Sequence, residues 1–276
     1  MLRNNDLGDV LVATPLLHGL KKAFPYSHIS VGVGDWAKPL LKENPDVDEI
    51  VSCNGPWHNK QICHFPANSP KTFLHGLFYI LFSRETRLMA KAKYTHGIDV
   101  LGSRQGAWLL RRIGIPFRLG VTGYAGGNKW CKRTIVFNEN SNVAEAALSF
   151  LPLLGINQTI EPRPRIYLSE KEKATSMWKP RNQNTKRIII APGAGFLEKC
   201  WGNKKFSSLV NDLLKNILYE IKVVGSGEDK ERIKLFENSH EDRFHNHCGN
   251  LGLRETTAMV SKADLVITNS SLCMHL

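Results

Sequence analysis

Three short segments combine residue types that could do chemistry with the spacing of a turn between a strand and a helix. The first is Asn4-Asn5-Asp6-Leu7-Gly8-Asp9, where Gly8 permits a tight turn and Asp9 opens a helical pattern reaching about Phe24. A carboxylate there is favoured by the helix dipole and can accept backbone N–H bonds, so Asp9 could serve as an N-cap. Facing a cleft, the same carboxylate could instead take a proton from a hydroxyl as a general base. The second segment runs from Pro192 through Gly193, Ala194 and Gly195 to Lys199 and Trp201. Its small residues let backbone amides approach a phosphate, and Lys199 offers a point charge to a diphosphate. It lacks the Gly-Lys-Ser/Thr ending of a P-loop. The third, Thr268-Asn269-Ser270-Ser271-Leu272-Cys273-Met274-His275, follows an apolar run with small hydroxyl residues. Ser270, Ser271 and nearby free amides suit a phosphate, whereas a lone histidine such as His275 is more often structural.

Such turns need a sheet to hold them, because in open parallel sheets ligands bind outside the carboxyl ends of the strands. The chain supplies strand-like and helix-like segments in alternation, the pattern of an α/β protein with parallel sheets. In the first half, the helix from Asp9 to Phe24 leads to a strand His28–Val33, a helix Trp36–Lys42 and a strand Val47–Ser52. Strands Gly97–Leu101 and Phe117–Val121 flank a helix carrying Trp108, Leu109, Leu110 and Ile113, and a helix over Val143–Leu154 closes the half. Pro162, Pro164 and Pro180 surround one short charged helical segment between Gln158 and Lys186, which marks a junction. Beyond it come strand Arg187–Ala191, helix Phe206–Leu214, strand Ile221–Val224, a helix, a short strand near His247, helix Arg254–Lys262 and strand Asp264–Thr268. The expected organisation is an N-terminal Rossmann-like lobe over residues 1–160, a linker over 161–186 and a C-terminal Rossmann-like lobe over 187–276. Met1 to Arg3 are few for a strand of about five residues, and with no helix after the last strand the second lobe reads as incomplete, that is, C-terminally truncated.

With 276 residues, 42% of them hydrophobic, the chain can fill two ordinary domains. The longest apolar run, Phe73 to Phe82, is about half of the roughly 20 residues that a spanning helix needs, and no secretion leader opens the sequence, so a cytoplasmic location is expected. Six scattered cysteines without a CxxC pair suit reduced thiols. His245, His247 and Cys248 lack a second ligand pair at zinc spacing, so no metal is expected. The net charge of +12 implies attraction to polyanions. Arg84, Arg87, Lys91, Lys93, Arg104, Arg111, Arg112 and Arg118 directly follow the apolar run, against only Glu85 and Asp99. That pairing fits peripheral contact with an anionic membrane or a phosphorylated lipid acceptor, and equally a solvated basic face beside a buried helix. No nucleic-acid signature accompanies the charge. No GxGxxG follows a strand with an acidic residue at the right distance, which argues against a dinucleotide-dependent oxidoreductase.

Taken in order, these segments resemble glycosyltransferase family 9, the bacterial lipopolysaccharide heptosyltransferases. The carriers are Gly8-Asp9-Val10-Leu11, Thr14-Pro15-Leu16-Leu17 and Leu20 to Pro25, then Tyr94 to Asp99 and Leu109 to Gly114. In the second half they are Pro192-Gly193-Ala194, Lys199-Cys200-Trp201, Val224-Gly225, Ala263 to Val266 and Asn269 to Leu276. The resemblance implies a GT-B fold of two Rossmann-like lobes and a metal-independent, inverting glycosyltransferase that needs no cofactor beyond its nucleotide-sugar donor. It further implies heptose transfer from ADP-heptose to a lipopolysaccharide core or a related lipid-linked glycan at the inner face of the cytoplasmic membrane. On the same resemblance Asp9 is the catalytic base, Lys199 binds the donor phosphates, and Ser271 with Ser270, Gly193, Ala194 and neighbouring amides cradles the diphosphate. His275 helps hold that loop, and Glu228, just after the Gly225 turn, bonds the ribose or base unless it is only a solvated helix-start residue. Ser270, where many relatives carry an aspartate, and the expected truncation leave a second reading, a non-catalytic or decayed nucleotide-sugar-binding relative.

Overall fold

The chain divides into two units, Met1–Tyr167 and Leu168–Leu276. The structure, a computed structural model, describes residues 1–66, 69–174, 178, 182–233 and 242–276. Pro180 and part of the helix expected after Gly227 lie outside these residues.

In the first unit, β1 (Ser30–Val33) pairs in parallel with β2 (Glu49–Ser52). A second parallel set comprises β3 (His96–Ile98), β4 (Phe117–Thr122) and β5 (Arg133–Val136). Leu2 bridges Gly32 on one side and Asp99 on the other, both in parallel sense. Its N–H donates to the Ile98 carbonyl at 2.8 Å, and the Arg3 N–H to the Gly32 carbonyl at 2.9 Å. Met1 to Arg3, short as they are, therefore form the centre of one sheet running β2, β1, Leu2, β3, β4, β5.

The helix expected from Asp9 to Phe24 is two helices, α1 (Leu7–Val12) and α2 (Thr14–Ala23). The break at Ala13 has a local cause: the Thr14 hydroxyl donates back to the Leu11 carbonyl at 2.7 Å, and Pro15 has no N–H to continue the ladder. The helix expected over Trp36–Lys42 is a single 3₁₀ turn followed by α3 (Lys38–Leu41). Further along come α4 (Pro70–Phe82), α5 (Arg84–Lys91), α6 (Arg104–Arg112) and α7 (Val143–Leu148). One core gathers Leu2, Trp57, Ile80, Met89, Leu109, Leu110, Ile113 and Ile115. At roughly 1.5–3 kcal/mol per fully buried large apolar side chain, this cluster is what fastens α4 to α6 beside the sheet. Gly19 marks a close approach elsewhere, since a Cβ there would sit 2.7 Å from Leu151 Cδ1.

The second unit has α8 (Glu170–Ala174), then β6 (Lys186–Ala191), α9 (Asn203–Leu214), β7 (Tyr219–Val223), β8 (Phe244–Asn246), α10 (Leu253–Val260) and β9 (Leu265–Thr268). All strands are parallel in the order β8, β7, β6, β9. Because β6 has neighbours on both sides and helices on both faces, it is apolar at successive positions rather than at alternate ones. Ile188 and Ile190 enter one core with Phe206, Val210 and Leu214 of α9. Ile189 and Ala191 enter the opposite core with Met259 of α10 and Trp178. Gly202, at φ +108°, turns the chain into α9 where an L side chain would be strained. Among the described residues no helix is long and apolar enough to cross a membrane.

Candidate functional site

Each unit presents one of the candidate constellations at the carboxyl end of its sheet. In the first unit, Leu2 sends the chain through Arg3 into the loop Asn4–Asp6 and then α1. Buried side chains fix this loop. Asn4 Nδ2 donates to the Gly55 carbonyl at 3.1 Å and Asn5 Nδ2 to the His58 carbonyl at 3.0 Å. Trp36 Nε1 donates to the Asn5 carbonyl at 3.0 Å, and the Lys60 N–H to Asp6 Oδ1 at 3.0 Å.

The residue at the N-cap of α1 is Asp6, not Asp9, and its carboxylate is engaged by Lys60 rather than by the helix. Asp9 lies in the first helical turn, where the dipole still favours a negative charge. Arg3, whose side chain is only 7% exposed, donates from Nη2 to Asp9 Oδ1 at 3.1 Å and from Nε to the Asp9 carbonyl at 3.3 Å. The Asp9 side chain remains 40% exposed. A buried guanidinium thus aims a carboxylate that solvent can still reach, an arrangement a general base could use.

Behind Arg3 lies Asp99, fully buried. Burial pushes its carboxyl up to about 7, against the opposing pull of Arg3 and of the backbone amides of Gly102, Ser103 and Leu101. His58, on the clamping loop, is held below its ordinary range first by burial and then by the Arg3 charge. The ionic arrangement Asp99, Arg3, Asp9 therefore runs from the interior of the sheet to the surface. A separate cavity of about 940 Å³ lies at the amino ends of β1 to β3, lined by Leu20, Ile29, Val51, Met89 and Ile113, away from Asp9.

In the second unit the strand order reverses direction at β6 and β9, so the crevice for a ligand falls between their carboxyl ends. The turns after β6 and β9 meet there. Asn269, 8% exposed, donates from Nδ2 to the Pro192 carbonyl at 2.7 Å and accepts the Trp201 N–H on Oδ1 at 3.0 Å. One amide side chain therefore ties the segment carrying Gly193, Ala194 and Lys199 to the segment carrying Ser270, Ser271 and His275. The turn after β7 joins them through Asp229. Its Oδ2 accepts from the Ser226 N–H and hydroxyl, both at 2.8 Å, and its Oδ1 accepts from Arg232 Nε at 2.6 Å. A Cβ on Gly193 would lie 2.4 Å from Asp229 Oδ2, and one on Gly225 would lie 2.7 Å from it. Glycine at both places is a packing requirement of this carboxylate.

The expected residues occupy this crevice as follows. Gly193 and Ala194 are half-buried at the end of β6. Lys199 is exposed in the single 3₁₀ turn Leu197–Lys199, with its ammonium 5.5 Å from the Phe196 ring centroid. Ser270 is exposed, while the Ser271 hydroxyl lies 3.0 Å from Thr268 Oγ1. His275 ends the short turn Leu272–Met274, its N–H bonded to the Leu272 carbonyl at 2.8 Å. Glu228 is exposed on the turn Gly227–Arg232, beside the buried Asp229. These residues share one unit, and Asp9 belongs to the other. Sequence reasoning missed Arg3, Asp229 and the bridging role of Asn269. The Gly193 and Gly225 turns, both immediately after strands, were the available signal for a buried partner such as Asp229. Cys248, from the His245–Cys248 group, packs into the α9 core, where burial pushes its thiol up to about 12. Among the described residues no group of three or more His, Cys, Asp or Glu could hold a metal ion.

Comparison with known proteins bears on both units. The family model of glycosyltransferase family 9 (heptosyltransferase) matches residues 84–276. The chain is similar to lipopolysaccharide heptosyltransferase 3 of Escherichia coli, at 22% identity over 98% of this chain and 76% of that protein. Among solved structures it is similar to a family 9 glycosyltransferase from Veillonella parvula, with a TM-score of 0.78 and 20% identity, covering 99% of this chain and 75% of the other. It is also similar to Escherichia coli heptosyltransferase WaaC solved with ADP-2-deoxy-2-fluoro heptose, with a TM-score of 0.72 and 14% identity, covering 99% and 83%.

Proposed function

The chain belongs to glycosyltransferase family 9 and is a glycosyltransferase of the α/β GT-B class, and on that premise we propose that it moves heptose from ADP-heptose to a lipopolysaccharide core or a related lipid-linked glycan. The reaction inverts the anomeric centre, uses no metal, and takes place at the inner face of the cytoplasmic membrane.

The observation that carries the reading is the meeting of three strand ends at the reversal of the second sheet, with Asn269 fastening two of them. There the donor diphosphate lies against the amides of Gly193 and Ala194 and the hydroxyls of Ser270 and Ser271. Lys199, on an exposed turn, closes on the phosphates as a point charge, His275 supports the loop, and Glu228 reaches the ribose or base. Asp9, aimed by Arg3, removes the proton from the acceptor hydroxyl as the anomeric carbon gains oxocarbenium character. That oxygen forms its bond to the anomeric carbon while the bond to the departing diphosphate breaks. Lys199 and the oriented amides stabilise the charge growing on ADP. One displacement gives one inversion. The similarity to a heptosyltransferase solved with an ADP-heptose analogue supports the adenine-linked donor.

Calorimetric titration of the folded chain with ADP, and with UDP and GDP as controls, tests the donor assignment. Selective ADP binding that weakens in Lys199→Ala is expected. Absence of binding to all three would replace this reading with that of a non-catalytic relative.

A further inference from the structure

Helix α4 packs against α6 and buries Thr72, Gly76 and Ile80 on one side. A Cβ on Gly76 would sit 3.1 Å from Gln105 and 3.3 Å from Trp57, so this inward face is closely packed. Its outward face carries an apolar stripe beside the exposed His75, whose ring meets Phe65. Leu74 is 58% exposed, Phe78 67% and Phe82 59%. Spaced four residues apart, the three drift only about 40° per step around the helix and so share one stripe. The Phe78 and Phe82 rings touch, their centroids 4.9 Å apart. Contiguous exposed aromatic and aliphatic surface of this kind costs solvation free energy and marks a contact surface.

The charges around the stripe say what covers it. Lys71 stands at the amino end of α4, with Nζ 5.1 Å from the Phe65 ring centroid. At the carboxyl end, Arg87 donates from Nη2 to the Phe82 carbonyl at 3.3 Å, which holds its guanidinium at the last turn of α4. Helix α5 then exposes Arg84, Arg87, Leu88 and Lys91, positions i, i+3, i+4 and i+7 of one helical face. The acidic residue of these two helices, Glu85, is turned away. It accepts from the Asn54 N–H at 2.8 Å, from Asn54 Nδ2 at 2.7 Å and from the Tyr79 hydroxyl. An apolar stripe with cations at both ends and its carboxylate withdrawn matches an interface whose interior is hydrocarbon and whose edge is phosphate.

We propose that the outer faces of α4 and α5 are a docking surface for an anionic phospholipid bilayer, with Leu74, Phe78 and Phe82 entering the acyl boundary and Lys71, Arg84, Arg87 and Lys91 at the headgroup phosphates. The proposal names the surface that would serve the membrane location given above, but it rests on the two helices alone, and a chain that failed to transfer a sugar would still carry it.

Flotation of the full chain with vesicles tests it. Binding to phosphatidylcholine–phosphatidylglycerol vesicles, weakened by salt and absent with phosphatidylcholine alone, is expected. Phe78→Asp should abolish flotation while its urea midpoint stays at the wild-type value, because the side chain is largely exposed. The double variant Arg84→Gln/Lys91→Gln should lower vesicle affinity about 30-fold, from two cations lost near an anionic surface. ADP titration of the same variants separates this surface from the donor site, and unchanged ADP affinity is expected. Flotation of Phe78→Asp equal to wild type would overturn the proposal, as would equal binding to neutral and anionic vesicles. So would a wild-type chain that ignores vesicles but self-associates through the stripe, becoming monomeric in Phe78→Asp by sedimentation equilibrium.

Discussion

Replacing Asn269 should loosen the crevice between β6 and β9 in a way that depends on pH. The native amide makes two buried bonds of opposite sense, donating to Pro192 at 2.7 Å and accepting from Trp201 at 3.0 Å. Asn269→Ala removes both and leaves a carbonyl and an N–H without partners, a loss of about 2–4 kcal/mol when each bond contributes about 1 kcal/mol net and each orphaned group costs more. Asn269→Asp has nearly the same shape but a carboxylate can only accept, so its second oxygen would oppose the Pro192 carbonyl. Protonated, that oxygen donates as the amide does. The new carboxyl is thus raised in the folded chain above its unfolded value of about 3.9. The sign follows: the stability of Asn269→Asp is close to native below pH ~4 and declines by ~1.4 kcal/mol per pH unit until the raised folded pKa is passed. Wild type carries no titrating group at this position. Urea unfolding and hydrogen exchange of the Trp201 amide, followed from low to neutral pH, read the two bonds separately. Trp201 protection unchanged in Asn269→Ala, or a pH-independent Asn269→Asp, would refute the bridging role.

Further consequences concern the other fixed carboxylates. Asp99, raised to about 7 mainly by burial, contributes stability that is present below about pH 4 and lost as pH rises through 7, by at most about 4 kcal/mol. Asp99→Asn should flatten that decline in urea midpoints across this range. Arg3→Met should lower kcat about 10–100-fold with donor affinity unchanged, since misplacing a catalytic group by about 1 Å costs on the order of 10²-fold; loss of donor affinity instead would place Arg3 elsewhere. Gly193→Ala drives a Cβ into the Asp229 carboxylate, at an expected cost of about 1–3 kcal/mol, and Asp229→Ala in the same chain should recover part of it in a double-mutant cycle.

Much of the fold was legible because β6 and β9 announce themselves as apolar runs and β7 as the alternation Tyr219, Ile221, Val223, each ending near glycine or small polar residues. Where the reading failed, the determinant was tertiary. Met1 to Arg3 look too short for a strand, yet Leu2 pairs on both sides because β1 and β3 flank it. Arg133–Val136, an edge strand exposed at both of its ends, offers no period-2 apolar signal. In the helix expected over residues 9–24, the interruption is written in Thr14 and Pro15, a local signal that continuous apolar periodicity outweighed. The candidate site divides in the same way. Residues that would meet ligand lie on turns visible in sequence. The residues that hold those turns act across the fold, since Asn269 reaches Pro192 from 77 positions away. Arg3 is close to Asp9 in sequence, but its burial beside Asp99 comes from pairing across the sheet.

Sugar transfer with Asp9 as the base is tested by following transfer from ADP-heptose by NMR for wild type and Asp9→Asn, with ADP affinity measured alongside. Wild type should give a product of inverted anomeric configuration. Asp9→Asn should transfer about 10²–10⁴-fold more slowly with ADP affinity unchanged. A product of retained configuration, or an Asp9→Asn chain that transfers at the wild-type rate, would contradict it.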